Sequence, residues 1–151
     1  MKFSARFDID SQADALFDSI ADFSRFERMM MGRGATVTRI DPAQQQGIGM
    51  GWLIGFLWRG RSRDLRLEVT RFDRPERLSL AGHSDSLDIR IDATVIALSK
   101  SRSRLIFECE IRPRNMKARL MLQTAKLGKS QLDRKFERRV AEFLQEIQAA
   151  H

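Results

Sequence analysis

At 151 residues, with 42% hydrophobic and 31% charged residues, the chain has the make-up of a folded globular protein of one domain spanning 1–151, and not of a disordered one. Its net charge of +7 would draw it toward an anionic partner such as RNA, a ribosome, a lipid surface or an acidic protein, although the same charge also serves solubility. A lone cysteine rules out an internal disulfide framework; with two histidines it makes no convincing metal site, and no apolar run reaches membrane-spanning length, so a cytoplasmic protein is expected.

Phe3, Ala5, Phe7 and Ile9 alternate with polar residues, which predicts a half-buried first strand. Ser11, three residues before Asp14, has the form of a capping box, and Ala13, Leu16, Phe17, Ile20 and Ala21 follow at helical spacing. Ser24 and Glu27 repeat the box ahead of a shorter helix carrying Phe23 and Phe26, which runs into Met29-Met30-Met31. Those methionines suit either the end of a helix core or an adaptable lip at a pocket mouth. Thr36 to Ile40 reads as a strand, Asp41-Pro42 as a turn and Gln44-Gln45-Gln46-Gly47 as loop. The glycines of Gly47-Ile48-Gly49-Met50-Gly51 superficially suggest a phosphate loop. A strand follows them, however, and no lysine is near, so they read as a bulge or the lead-in to a strand.

Next come strands at Trp52–Trp58 and from Leu65 to Thr70, with Arg59-Gly60-Arg61-Ser62 between them as a hairpin turn. Further strands are expected around Leu78 and Leu80, from Leu87 to Val95, and from Arg104 to Pro113. Short turns at Asp73-Arg74-Pro75-Glu76, at Gly82-His83-Ser84-Asp85 and around Ser99–Ser103 separate them, which predicts an antiparallel meander with one solvated face. From Arg114 the period becomes helical. Ala118, Leu122, Ala125, Leu132, Phe136, Val140, Phe143 and Ile147 form one stripe of a helix of about 34 residues, roughly 50 Å long, with Gly128 as a place to bend.

Within this pattern Trp52, Ile54, Phe56 and Trp58 share one face of a strand. Four bulky residues there either fill a core or wall a cavity, where indole N–H groups could orient a ligand's polar end. No acid, base or nucleophile is evident on that face. His83, Ser84 and Asp85 are consecutive and cannot form a relay, whose members converge from separate segments. Cys109 alternates with Leu105, Phe107 and Ile111, so it should face inward as a small hydrophobe. Tyrosine is absent. No metal and no cofactor is expected.

The order strand, two short helices, six-stranded meander and long helix resembles the START-like (SRPBCC) superfamily of helix-grip folds, which includes Bet v 1-like and polyketide cyclase/dehydrase proteins. Ala15-Leu16-Phe17 followed by Asp22-Phe23, the Gly47-Ile48-Gly49 approach to the tryptophan strand, and Phe72-Asp73-Arg74-Pro75-Glu76-Arg77-Leu78 carry the likeness. The resemblance implies an α+β helix-grip architecture: a curved antiparallel sheet of about seven strands, two short helices after the first strand, and a long C-terminal helix across the sheet. It also implies a cavity between sheet and helix for an apolar small molecule or lipid. The walls would be Trp52, Ile54, Phe56, Trp58, Leu67, Ile89, Ile91, Phe107, Leu122, Ala125, Leu132 and Phe136. The alternatives are a cyclase/dehydrase-type enzyme, which would need two acid/base groups at inward positions although the alternations put Arg66, Glu68, Asp88, Arg90, Asp92, Glu108 and Glu110 outward, and a basic-surface partner of RNA, the ribosome or an anionic membrane.

Overall fold

The computed structural model describes residues 1–40 and 46–149. The turn at Asp41-Pro42, the glutamines Gln44 and Gln45, and His151 lie outside the described residues. Strand β1 (Lys2–Ile9) leads to helices α1 (Ala13–Ile20) and α2 (Phe23–Gly32). Strands β2 (Thr36–Arg39), β3 (Gly51–Trp58), β4 (Arg61–Asp73), β5 (Arg77–His83), β6 (Leu87–Ala97) and β7 (Ser103–Pro113) follow in turn. Helix α3 (Met116–Ala125), a 3-10 turn (Lys126–Gly128) and helix α4 (Lys129–Ala149) complete the chain. This is the helix-grip architecture expected from the sequence.

The sheet has seven antiparallel strands in the order β1-β7-β6-β5-β4-β3-β2. Strands β3 to β7 follow one another through tight turns. At the β3–β4 tip only Arg59 and Gly60 intervene, both at positive φ (52° and 75°), as a hairpin of that length requires. The first strand instead returns to the last, and Asp8, directly opposite Arg104, accepts hydrogen bonds from it at 2.7 and 3.2 Å. A similar pair, Arg74 to Asp18 at 2.7 and 2.9 Å, ties the β4–β5 turn to α1.

Helix starts differ in detail from the capping boxes expected. Helix α1 begins after Gln12, without a side-chain cap, and the Ser11 hydroxyl meets the Gln12 carbonyl at 3.4 Å. Helix α2 begins earlier than Ser24 would place it: Asp22 is the cap and accepts from the Arg25 N–H at 3.1 Å. Glu27 is thereby released for another contact, described below. At α3 Asn115 caps through the Ala118 N–H at 2.8 Å. Near Gly128 the long helix tightens for one 3-10 turn, but Ala125, Lys126 and Lys129 all keep right-handed helical backbone angles, so the helix continues through it.

Sheet register fixes which side chains meet the helices. The pairs Trp52↔Leu67, Leu67↔Gly82, Gly82↔Ile89, Ile89↔Ile111 and Ala5↔Phe107 place one parity of each strand on a common inner face. On that face Trp52, Ile54, Leu67, Val69, Leu78, Val95 and Leu105 are buried with Leu16, Phe17 and Ile20 of α1, Phe23 of α2, and Val140, Leu144 and Ile147 of α4. Rings lock the centre: Phe17 lies edge-on to Phe72 at 5.3 Å, and Phe23 edge-on to Trp52 at 5.1 Å. Such pairs add about 0.5–1.5 kcal/mol each beyond the area they bury.

Candidate ligand-binding groove

The inner face falls into two halves. Along β3 the side chains that share it change character step by step: Trp52 is 0% exposed and Ile54 is buried, whereas Phe56 is 36% and Trp58 53% exposed. Strands β6 and β7 repeat the gradient, whereas on β1 Phe3 is buried and Phe7 half-buried. On β6 Val95 and Ala93 are buried while Ile91 and Ile89 are half-buried, and on β7 Leu105 is buried while Phe107 and Ile111 are half-buried. The cause is where the helices lie. Helices α1 and α2 and the C-terminal part of α4 pack over one end of the sheet, while Phe136 of α4 and the α3 segment lie toward the other.

The expected wall residues therefore separate. Trp52, Ile54 and Leu67 belong to the closed core. Leu122 is buried outside that cluster, on the α3 face turned to β7. Ile89, Ile91, Phe107, Ala125, Leu132 and Phe136 are half-buried, and Phe56 and Trp58 are exposed. Phe136 is brought to Phe107 (6.0 Å between ring centres) and to Phe3 (5.4 Å), so the helix and sheet walls meet there. The indole N–H of Trp52 is not directed to a ligand. It donates to Glu27 Oε1 at 2.8 Å, while Arg39 lies 5.6 Å from the ring centre and 3.9 Å from the same carboxylate.

Sequence reading missed several members of this open half. Leu65, Leu80 and Ile111 occupy inner-face positions and are half-buried. Arg63 and Arg61, opposite Phe56 and Trp58, hold inner-face register positions at its outer end. The signal was present, since 61, 63, 65, 67 and 69 share parity, but the alternation of β4 becomes apolar only at Leu65. Gly82 matters here as well: a Cβ would lie 3.2 Å from Leu65 Cδ1 and 3.4 Å from Leu67 Cδ1, so its lack of a side chain lets those leucines spread over the sheet.

Polar chemistry on the inner face is sparse. Burial pushes the Cys109 thiol up to about 11, which leaves it protonated at neutral pH and a poor nucleophile. The buried Ser103 hydroxyl donates to the Ser11 carbonyl at 2.7 Å. The carboxylates of Glu68, Asp88, Asp92, Glu108 and Glu110 hold the outward register positions expected. There His83 Nδ1 pairs with Asp88 at 2.7 Å on an exposed surface, and the Ser79 hydroxyl donates to Asp92 at 2.5 Å. Two clefts of about 500 Å³, one at the α1–α2 junction beside Asp22 and Arg74, the other on the outer face beside Arg71 and Asp92, are lined largely by polar side chains. Among the described residues no group of three or more His, Cys, Asp or Glu is placed to hold a metal ion.

Known structures share this fold. A protein of Thermus thermophilus superposes with a TM-score of 0.71 at 10% identity, covering 99% of each chain. An aromatase/cyclase from a Streptomyces species gives 0.67 at 12% identity over 98% of this chain and 93% of its own. A START superfamily protein from Mycobacterium smegmatis gives 0.56 at 11% identity over 91% and 97%. No family model and no curated protein matches the sequence. The chain has a START/SRPBCC-like helix-grip fold. At these identities it is the fold alone that is shared.

Proposed function

We propose that the protein binds an apolar small molecule or lipid, without covalent chemistry, in the open half of the groove between the sheet and the C-terminal helix. One observation carries the reading. The inner-face apolar residues Phe56, Leu65, Leu80, Ile89, Ile91 and Phe107, and Leu132 and Phe136 of α4, stay partly solvated while the other half of the same face is mostly buried. Apolar surface held open to water on both walls gains free energy when an apolar ligand covers it, at roughly 25 cal/mol per Å². The expected residues contribute in two ways. Phe56, Trp58, Ile89, Ile91, Phe107, Ala125, Leu132 and Phe136 form the contact surface, and Trp52, Ile54, Leu67 and Leu122 form the packing behind it. Arg61 and Arg63 at the outer end favour a ligand whose polar end carries negative charge. The outward register of the acidic residues supports binding over the cyclase-type alternative, which needs paired acid/base groups inside.

Native mass spectrometry and organic extraction of purified protein test this, followed by titration with quinones, fatty acids and polycyclic aromatics monitored by tryptophan fluorescence. A co-purifying or titratable apolar ligand that Ile91→Trp displaces is the expected result. Absence of any ligand, together with no response to the panel, refutes it.

A further inference from the structure

Helix α3 is apolar on two sides. At about 100° per residue, Ala118, Leu122 and Ala125 lie on one side, turned to β7, and Met116, Leu120 and Leu127 lie roughly opposite them. That second stripe meets water: Leu127 is 89%, Met116 65% and Leu120 57% exposed. A globular helix needs only one apolar side, so the outer stripe is surplus to folding. A second surplus lies at the β3–β4 tip, where Leu57 is 78% exposed beside Trp58. The two are at the same end of the sheet. Trp58↔Arg61 closes β3–β4 there, and β7 ends there at Pro113, paired with the start of β6, before the chain enters α3.

Along the chain the charges that flank both are of one sign, although Asp88, paired with Arg114 at 3.7 Å, lies at the same end of the sheet. Every charged residue from Gly51 to Arg63, and every one from Ile111 to Leu132, is Arg or Lys. Lys117 and Arg119 flank the helix stripe, and the Arg59 guanidinium lies 5.7 Å from the Trp58 ring centre.

We propose that this end of the molecule docks on an anionic lipid bilayer, with Leu57, Trp58 and the Met116-Leu120-Leu127 stripe in the headgroup–acyl boundary and the flanking bases on lipid phosphates. Aliphatic residues beside a tryptophan and a basic rim match an interfacial surface. Nucleic acid fits less well, because leucine and methionine offer no ring for base stacking. A second copy fits less well too, since a twofold contact would bring like charges together. Trp58 also borders the groove, but docking requires no ligand within it. Among the described residues no helix is long and apolar enough to cross a membrane.

The test is co-sedimentation of the full chain with vesicles of phosphatidylcholine containing about 30 mol% phosphatidylserine, against phosphatidylcholine alone. Expected is binding to the anionic vesicles only, weakened at least about tenfold between about 0.1 and about 0.5 M salt. A blue shift and brominated-lipid quenching of tryptophan emission should accompany it and vanish in Trp58→Phe. Leu57→Asp and Leu127→Asp, both at highly exposed positions, should each weaken binding about tenfold with thermal unfolding unchanged. Ile91→Trp, which fills the groove, should still dock, separating this result from that of the ligand reading. No binding to anionic vesicles overturns the proposal, as does binding with unmoved Trp58 emission. RNA that binds more tightly and competes vesicles away, or a dimer lost in Leu127→Asp without vesicle binding, overturns it in favour of that partner.

Discussion

Truncating the four inner-face residues of β3 one at a time should trace the boundary between core and groove as a stability profile. Trp52 is completely buried, edge-on to Phe23 and Phe26 at 5.1 and 6.0 Å, with its N–H on Glu27. Trp52→Ala leaves a cavity walled by rings that cannot collapse, and should cost about 3–5 kcal/mol. That is a large fraction of the roughly 5–15 kcal/mol available to a domain. For a chain of this length it corresponds to a fall of about 6–20 °C in Tm. Ile54→Ala, also in the closed core, should cost about 2–4 kcal/mol. Phe56 retains over a third of its surface in water, so Phe56→Ala should cost only about 1–2 kcal/mol, and Trp58→Ala about 0.5 kcal/mol or less. Urea unfolding followed by far-ultraviolet circular dichroism measures all four, with unchanged m-values as the check on two-state behaviour. A flat profile, or a loss at Trp58 comparable with that at Trp52, would refute the division of the face into packed and open halves.

Trp52→Phe keeps the ring packing but removes the donor, and Glu27→Ala leaves that donor buried and unpaired; a double-mutant cycle should show the two coupled, by about 1 kcal/mol or more. The Arg74 hydrogen bond holds the Asp18 carboxyl below its ordinary 3.8, and nuclear magnetic resonance titration should show the midpoint return toward that value in Arg74→Ala. Because folding lowers this pKa, the pair's contribution is present above the unfolded value near 3.8 and fades as pH falls through the folded value, so Arg74→Ala should flatten the acid limb of the stability curve. Cys109, with its thiol raised to about 11, should react slowly with thiol reagents at neutral pH and at normal speed in denaturant. Folding favours its protonated form, so that contribution is intact below the unfolded thiol's pKa and declines toward pH 11; rapid native labelling at pH 7 would contradict this burial.

The sequence by itself determined the strand and helix order, the antiparallel meander, the parity of most strands and the hairpin at Arg59-Gly60, though not the bulge after Val69 that shifts the register of β4. These depend on period and turn chemistry, which are local. Even the outward position of the carboxylates on β6 and β7 followed from alternation alone. Local reasoning erred first at the helix starts, where Ser24 and Asp22 are both chemically suitable caps and only packing of Phe23 into the core selects Asp22. It could not tell Trp52 from Trp58, since identical residues at equivalent parity differ only in what lies above them. Tertiary structure decided that, because α1, α2 and the end of α4 cover one end of the sheet and leave the other open. The same placement turned Met116, Leu120 and Leu127 outward, since α3 has one sheet to rest on and two apolar sides.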